Sequence, residues 1–305
     1  MILSTKSKHI PCLITIFGAT GDLSHRKLFP SIFHLFQQDN LDEHIAIIGI
    51  GRRDYSNEEF RDQVKSSIQK HVKDTNRIDE FMNHVFYHKT DVSDERSYES
   101  LLQFSNQLDK ELGLQGNRLF YLAMAPQFFG VISDFLKSSG LTNTKGFKRL
   151  VIEKPFGSDL KSAESLNNQI RRSFKEEEIY RIDHYLGKDM VQNIEVLRFA
   201  NAMFEPLWNN KYISNIQVTS SEILGVEDRG GYYESSGALK DMVQNHMLQM
   251  VALLAMEAPI SLNSEDIRAE KVKVLKSLRQ FKPEEVRKNF VRGQYGRSEE
   301  RRVGK

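Results

Sequence analysis

The first 175 residues alternate short apolar runs with amphipathic stretches, and no other feature of the chain narrows its fold so far. The runs are CLITIFG (12–18), HIAIIGIG (44–51), HVFYHKTD (84–91), RLFYLAM (118–124) and KRLVIEKP (148–155). Each is brief and mostly apolar, which is how a strand covered on both faces reads. Between them, residues 26–38, 57–73, 94–112, 127–139 and 159–173 carry helical patterns. Strand and helix in alternation predict a doubly wound α/β domain, a parallel sheet wrapped by helices, over residues 1–180.

Beyond about residue 175 the texture changes. KDMVQNIEVLRFANAMFEPLW begins as an amphipathic helix that should stop near Glu205-Pro206, since proline disfavours helical geometry in the residue before it. NIQVTSSEIL (215–224) reads as a strand, and SGALKDMVQNHMLQMVALLAMEAP as a long, largely buried helix ended by Pro259. A strand followed by a long helix predicts a second domain of α+β type over 181–296, one that is incomplete. The last nine residues, RSEERRVGK, lack apolar periodicity and follow FVRGQYG abruptly. They read as a non-native tail, 297–305, and stay outside the fold argument.

Charge and composition exclude several function classes. The net charge of +2 resides in that tail, which holds four basic residues against two acidic ones, so the first 296 residues sum to zero. A neutral body is a poor nucleic acid binder. With 39% apolar and 28% charged residues the chain has ordinary globular composition, and its apolar runs fall far short of the roughly 20 residues of a spanning helix. The single cysteine, Cys12, cannot form an internal disulfide, and no Cys/His cluster has zinc spacing. A cytoplasmic protein is expected, with no membrane partner, no nucleic acid partner and no metal.

Gly18 and Gly21 stand directly after the first strand and ahead of a helix. Glycines there let backbone N–H groups approach a pyrophosphate, with the helix N-terminus adding partial positive charge. Alone, Gly-x-x-Gly fits an ordinary tight turn as well, and Ser24 holds the position of a third glycine. The placement after the first strand of an alternating segment favours a Rossmann-like nucleotide site. The second strand ends in Arg52 and Arg53, whose guanidinium forks suit a 2′-phosphate where an NAD site would offer a carboxylate, so NADP is the expected cofactor. Lys154, held extended by Pro155, projects from the end of the fifth strand, where such sheets bind ligands.

RIDHYLGKDM (181–190) crowds Asp183, His184, Tyr185 and Lys188 at the mouth of a helix. Together with GATGDLSHRKLFPSIFHLF, EKPFGSDL and GVEDRGGYYESSGALKDMVQNHMLQ, this stretch resembles the glucose-6-phosphate 1-dehydrogenase family in its bacterial form. The likeness runs in order from about Leu13 to Gly296.

The resemblance implies oxidation of glucose 6-phosphate at its anomeric carbon to 6-phosphogluconolactone, with hydride passing to NADP, the first step of the pentose phosphate pathway. Such chemistry needs a base that titrates near the working pH, and the family's base matches His246. Its aspartate partner matches Asp183, which would orient the ring and stabilise imidazolium. His184, Tyr185 and Lys188 resemble the phosphate-binding set, all three able to donate to a dianion. Lys154 looks like the lysine that touches both sugar and cofactor, Pro155 like a cis proline, and Glu222 and Asp241 like acceptors for sugar hydroxyls. Thr20, Asp22 and Leu23 join Gly18, Gly21, Arg52 and Lys154 as implied cofactor contacts.

The chain departs from the family in length. Members continue well beyond RGQYG into a large, mainly antiparallel sheet that completes the substrate domain and forms the homodimer or homotetramer interface. A C-terminally truncated chain is therefore expected, one that binds NADP weakly and turns over little. The competing reading is a non-catalytic NADP-binding module or fragment. A wider group of two-domain sugar dehydrogenases shares the EKP turn but lacks RIDHYLGK.

Overall fold

The computed structural model describes residues 9–157, 159–221, 225–226 and 230–294. The chain divides into two units, Met1–Ile182 and Asp183–Lys305.

In the first unit, strands β1 (Cys12–Phe17), β2 (Ile45–Gly51), β3 (Val85–Lys89), β4 (Arg118–Leu122), β5 (Lys148–Glu153) and β6 (Ile179–Ile182) form one sheet. Its order is β3-β2-β1-β4-β5-β6, with every pairing parallel. Consecutive residues of a strand face opposite ways. Ile16 and Ile47 accordingly pack under α1 (Phe29–Gln37), α2 (Asn57–His71) and α3 (Ile78–Met82), against Phe29, Phe33, Phe60 and Phe81. Their chain neighbours Phe17 and Ile48 pack under α4 (Ser97–Leu112), α5 (Phe129–Ser138) and α6 (Leu160–Ile170), against Tyr98, Leu101, Ile132 and Ile170. Two covered faces explain why these strands read as continuous apolar runs, and each fully buried Phe or Ile contributes roughly 1.5–3 kcal/mol.

Local signals set the helix ends. Ser56 caps α2, accepting from Glu59 N while Glu59 Oε2 accepts from Ser56 N at 2.8 Å. Gly113 closes α4 at φ 67°, a left-handed conformation in which glycine is the least strained residue. β6 escaped the sequence reading, being four residues long and carrying two exposed positions at the sheet edge.

The second unit holds α7 (Asp189–Phe199), α8 (Gly230–Ala238), a π-helical segment Leu239–Met247, α9 (Leu248–Ala255), α10 (Ser264–Ser277) and α11 (Pro283–Asn289). Tyr185, Val191, Met250, Leu253 and Met256 form its buried cluster.

Three expectations require correction here. α7 ends at Phe199, short of Glu205, because the Asn201 side chain accepts from Met203 N and draws the backbone into a turn. The long helix expected to Pro259 is broken at Gly237 (φ 58°, ψ 176°), continues with π geometry through 247, and stops at Ala255, where Met256 turns extended. Residues 215–221 of NIQVTSSEIL form no sheet: no strand lies beside them among the described residues, and an extended segment needs a partner's ladder. Residues 222–224 of that stretch lie outside the described residues. No helix among the described residues is long and apolar enough to cross a membrane.

Candidate active site

In the first unit the sheet order reverses between β1 and β4, and ligands of open α/β sheets bind at such a switch point. Gly18, the residue after β1, has φ 81°, and a Cβ there would stand 2.4 Å from the carbonyl oxygen of Ala123, the residue after β4. Both Gly18 N and Ala19 N donate to Ile50 O, and Gly21 N donates to Gly18 O at 3.0 Å, which folds the turn back on itself. Ser24, at the third glycine position, is buried and donates its hydroxyl to Gly18 O at 3.0 Å. The serine thereby ties the turn to the π-helical start of the next helix, Ser24–Leu28. Thr20 is half-buried, Leu23 takes the cap position of that segment, and Asp22 is exposed with Arg26 at 3.4 Å, an ion pair worth little in water.

The two arginines after β2 differ. Arg53 Nη1 donates to Tyr55 Oη at 3.0 Å and holds that phenol below its usual range, while Tyr87 Oη donates to Arg53 O at 2.7 Å. Arg52 is exposed and makes no hydrogen bond or ion pair among the described residues. Lys154 follows β5, half-buried, with a cis bond to Pro155. Beside it, Glu153 accepts from the hydroxyl of Tyr121, whose phenol is pushed up by burial and then by that hydrogen bond. The donor set of this unit, a turn with glycine at 18 and 21 and an uncommitted guanidinium just after β2, fits a dinucleotide bearing a 2′-phosphate.

In the second unit the sequence DHYLGK coils into successive turns: Leu186 N donates to Asp183 O, Gly187 N to His184 O and Lys188 N to Tyr185 O. Asp183 Oδ1 accepts from Tyr185 N at 2.9 Å and also from Nδ1 of His246, so one carboxylate oxygen fixes both the turn and the ring. His246 is 0% exposed, carried on the π-helical segment. A carboxylate can only accept, which assigns a hydrogen to Nδ1, and in the neutral ring Nε2 then carries the lone pair a base requires. The Tyr185 ring lies 4.1 Å from the His246 ring at 11°, His184 stands edge-on to His246 at 4.8 Å and 75°, and Lys188 Nζ sits 3.4 Å from the Tyr185 centroid.

The structure thus gathers Asp183, His184, Tyr185, Lys188 and His246, which the sequence spreads over 63 positions. Asp241 is buried on the segment that carries His246, and Glu222 lies outside the described residues. Gly18, Thr20, Gly21, Asp22, Leu23, Arg52 and Lys154 belong to the first unit. Asp183, His184 and His246 each also offer a ligand-type atom within 4.8 Å of the others, a set that by composition could hold a cation.

Sequence reasoning passed over two residues. Lys271 of α10 has its ammonium disfavoured by burial, against the pull of Glu195 and Asp183. Arg198 of α7 is buried and donates to Leu253 O and Met256 O at the end of α9. Nothing in an amphipathic helix pattern separates such positions from solvated ones.

The family described as glucose-6-phosphate dehydrogenase, NAD binding domain, matches residues 15–193, and that described as glucose-6-phosphate dehydrogenase, C-terminal domain, matches residues 195–304. Among curated relatives, the glucose-6-phosphate 1-dehydrogenase of Bacillus subtilis is 61% identical over 283 residues, covering 93% of this chain and 58% of the relative. That of Leuconostoc mesenteroides is 46% identical over 287 residues, 94% of this chain and 59% of the relative. A solved structure of glucose-6-phosphate dehydrogenase in complex with its substrate glucose-6-phosphate superposes with a TM-score of 0.82 at 40% identity, over 88% of this chain and 56% of that one. The chain spans less than three fifths of the length of each of these proteins.

Proposed function

The chain belongs to the glucose-6-phosphate dehydrogenase family, and from that premise we propose that it carries the machinery to oxidise glucose 6-phosphate to 6-phosphogluconolactone with NADP. One observation supports the reading most: a fully buried histidine donates Nδ1–H to an aspartate while two potential phosphate donors, His184 and Tyr185, stand against its ring and a third, Lys188, stands over the ring of Tyr185.

When bound, NADP supplies the acceptor for a hydride. The Gly18–Gly21 turn and Arg52 would hold its pyrophosphate and 2′-phosphate. His184, Tyr185 and Lys188 bind the 6-phosphate, and Lys154 steadies sugar and cofactor. His246 Nε2 takes the proton of the anomeric hydroxyl as the C1–H bond releases its hydride and the C1–O bond becomes a carbonyl. Asp183 stabilises the imidazolium so formed and keeps the ring in one tautomer. Asp241 and Glu222 accept from sugar hydroxyls. We further place the reaction in the cytoplasm, as the first step of the pentose phosphate pathway, in a homodimer or homotetramer at the relatives' length; the relatives' identity is what supports this.

Growth of NADPH absorbance with glucose 6-phosphate, and its absence with glucose, tests the proposal. His246→Asn should lower kcat by about 10²–10⁴-fold with KM for glucose 6-phosphate close to wild type, and a near-normal rate would remove His246 from its role. A second reading is cofactor binding without turnover. Tight NADP binding together with no turnover would select it.

A further inference from the structure

We propose that the cleft between the π-helical segment Ser24–Leu28 and α2 is an anion site that takes a chain of linked phosphates, separate from the nucleotide turn. The cleft has a volume of about 520 Å³, within the roughly 300–1,000 Å³ of small-molecule sites. His25 and Arg26 line it from the segment, and Ser66, Ser67, Lys70 and His71 line it from α2. None of Gly18, Gly21, Arg52 and Lys154 lines it.

The sequence of α2 makes the space. Phe60, Val64 and Ile68 are buried against the sheet, and the stripe beside them, positions 62–63, 66–67 and 70–71, is polar. Residues three and four apart share a helix face, so two short serines sit at the middle of that stripe with longer side chains at its ends. The Ser67 hydroxyl donates to His25 O, which ties α2 to the segment, and His25 N donates to Gly21 O at 3.2 Å. Both walls therefore stand on fixed backbone.

Charge decides what enters. Arg26 and Lys70 are permanent cations and His25 and His71 add two imidazoles, against Asp62 as the acid among the described lining residues. Arg26 also meets Asp22 at 3.4 Å, but both side chains are more than half exposed and such a pair is worth little, so the guanidinium can turn to a stronger anion. His71 gives Nδ1–H to Ser67 O at 2.8 Å, since a carbonyl only accepts, and its Nε2 can donate to an anion once the ring is protonated. The His25 imidazole is held below its usual range by burial, with Asp22 opposing and the Lys70 ammonium reinforcing, so the charge of α2 reaches the opposite wall. A single phosphate engages one end of this set. A chain of them spans the cleft and accepts from Arg26, Lys70 and the imidazoles together.

The test is an NMR titration of the 305-residue chain with tripolyphosphate at low ionic strength, reading the ring resonances of His25 and His71, assigned with His25→Gln and His71→Gln. Both rings should shift together and saturate with one Kd below about 1 mM. The double variant Arg26→Gln, Lys70→Gln should weaken that Kd by about tenfold or more, and so should Ser66→Glu, which sets a carboxylate in the middle of the cleft. Arg52→Ala should leave it unchanged. All four altered side chains are exposed, so the fold is not at stake. Guanosine triphosphate serves as a second probe: affinity about tenfold above that of tripolyphosphate identifies a nucleotide as the source of the chain, equal or lower affinity identifies the bare chain, and either sustains the site. Shifts that vanish in Arg52→Ala but persist in the double variant would assign the phosphates to the nucleotide turn and overturn the proposal, as would no saturation by about 10 mM. Turnover plays no part in these readings, so the cleft stands or falls independently of the oxidation of glucose 6-phosphate.

Discussion

Replacing Arg198 with Met tests how the helix behind the base is held. α9 continues directly from the segment that carries His246, and its last carbonyls have no helical partners. Arg198, 6% exposed, gives Nη1–H to Leu253 O at 2.5 Å and Nη2–H to Met256 O at 2.7 Å, and Trp208 Nε1–H goes to Leu254 O at 2.8 Å. The guanidinium also lies 4.6 Å from the Phe199 ring centroid and 5.2 Å from that of Trp208. Burial disfavours its charge, with Glu257 pulling the other way. Each charged hydrogen bond contributes roughly 1.5–3 kcal/mol, and removing both returns some of the cost of burying a cation, which leaves a net loss of about 3 kcal/mol. With a urea slope of about 2 kcal/mol per M, the midpoint should fall by about 1.5 M. Trp208 is the chain's one tryptophan, so its fluorescence reports this unit directly. Arg198→Lys, with a charge but no fork, should fall between. A midpoint for Arg198→Met within about 0.3 M of wild type, less than 1 kcal/mol at that slope, would refute the idea that these two bonds clamp the helix.

Three further outcomes are expected. Gly18→Ala places a methyl group 2.4 Å from Ala123 O at φ 81°, so it should weaken NADP binding at least tenfold in a fluorescence titration and cost more than about 2 kcal/mol of stability; unchanged affinity would remove the turn from the cofactor site. Arg52→Ala should raise KM for NADP about 10–100-fold while leaving KM for NAD little altered, and a parallel loss for both cofactors would reassign 2′-phosphate recognition. Burial holds the imidazoles of His25 and His88 below their usual range, so each takes up a proton less readily in the fold than in the unfolded chain, which does so below about pH 6.5. The stability they contribute is present above that pH and lost as pH falls; the first unit's urea midpoint, followed by far-UV circular dichroism, should drop between about pH 7 and pH 5, and a flat response would contradict it.

The parallel sheet was legible because its strands are covered twice. Ile47 and Ile48 must both be apolar when one faces α1 and α2 and the other faces α4, and that doubling is written in the sequence. β6 was not legible, since Ile179–Ile182 buries only its first residue and places Arg181 in an ion pair with Glu176 at 2.6 Å. The π geometry of Leu239–Met247 escaped for another reason: its apolar spacing is that of any buried helix, and the extra residue per turn is decided by tertiary packing. Residues 215–221 alternate as a strand should, but a ladder is a property of two segments. At the site, residue types announced the chemistry and the family resemblance named the pairing of Asp183 with His246. The stacking of Tyr185 on His246 had no signal at all, because ring orientation is set by neighbours distant along the chain.

The middle position of β1 has a consequence for biosynthesis. Cys12–Phe17 is the first strand of the sheet to leave the ribosome, yet its second neighbour, Arg118–Leu122, follows only after four helices and two strands have been made. During that interval an apolar strand exposes an open edge, the kind of surface that nascent-chain chaperones shield and that aggregation exploits. Slowing translation between Gly51 and Arg118 should therefore lower the yield of soluble protein more than slowing it after Leu122.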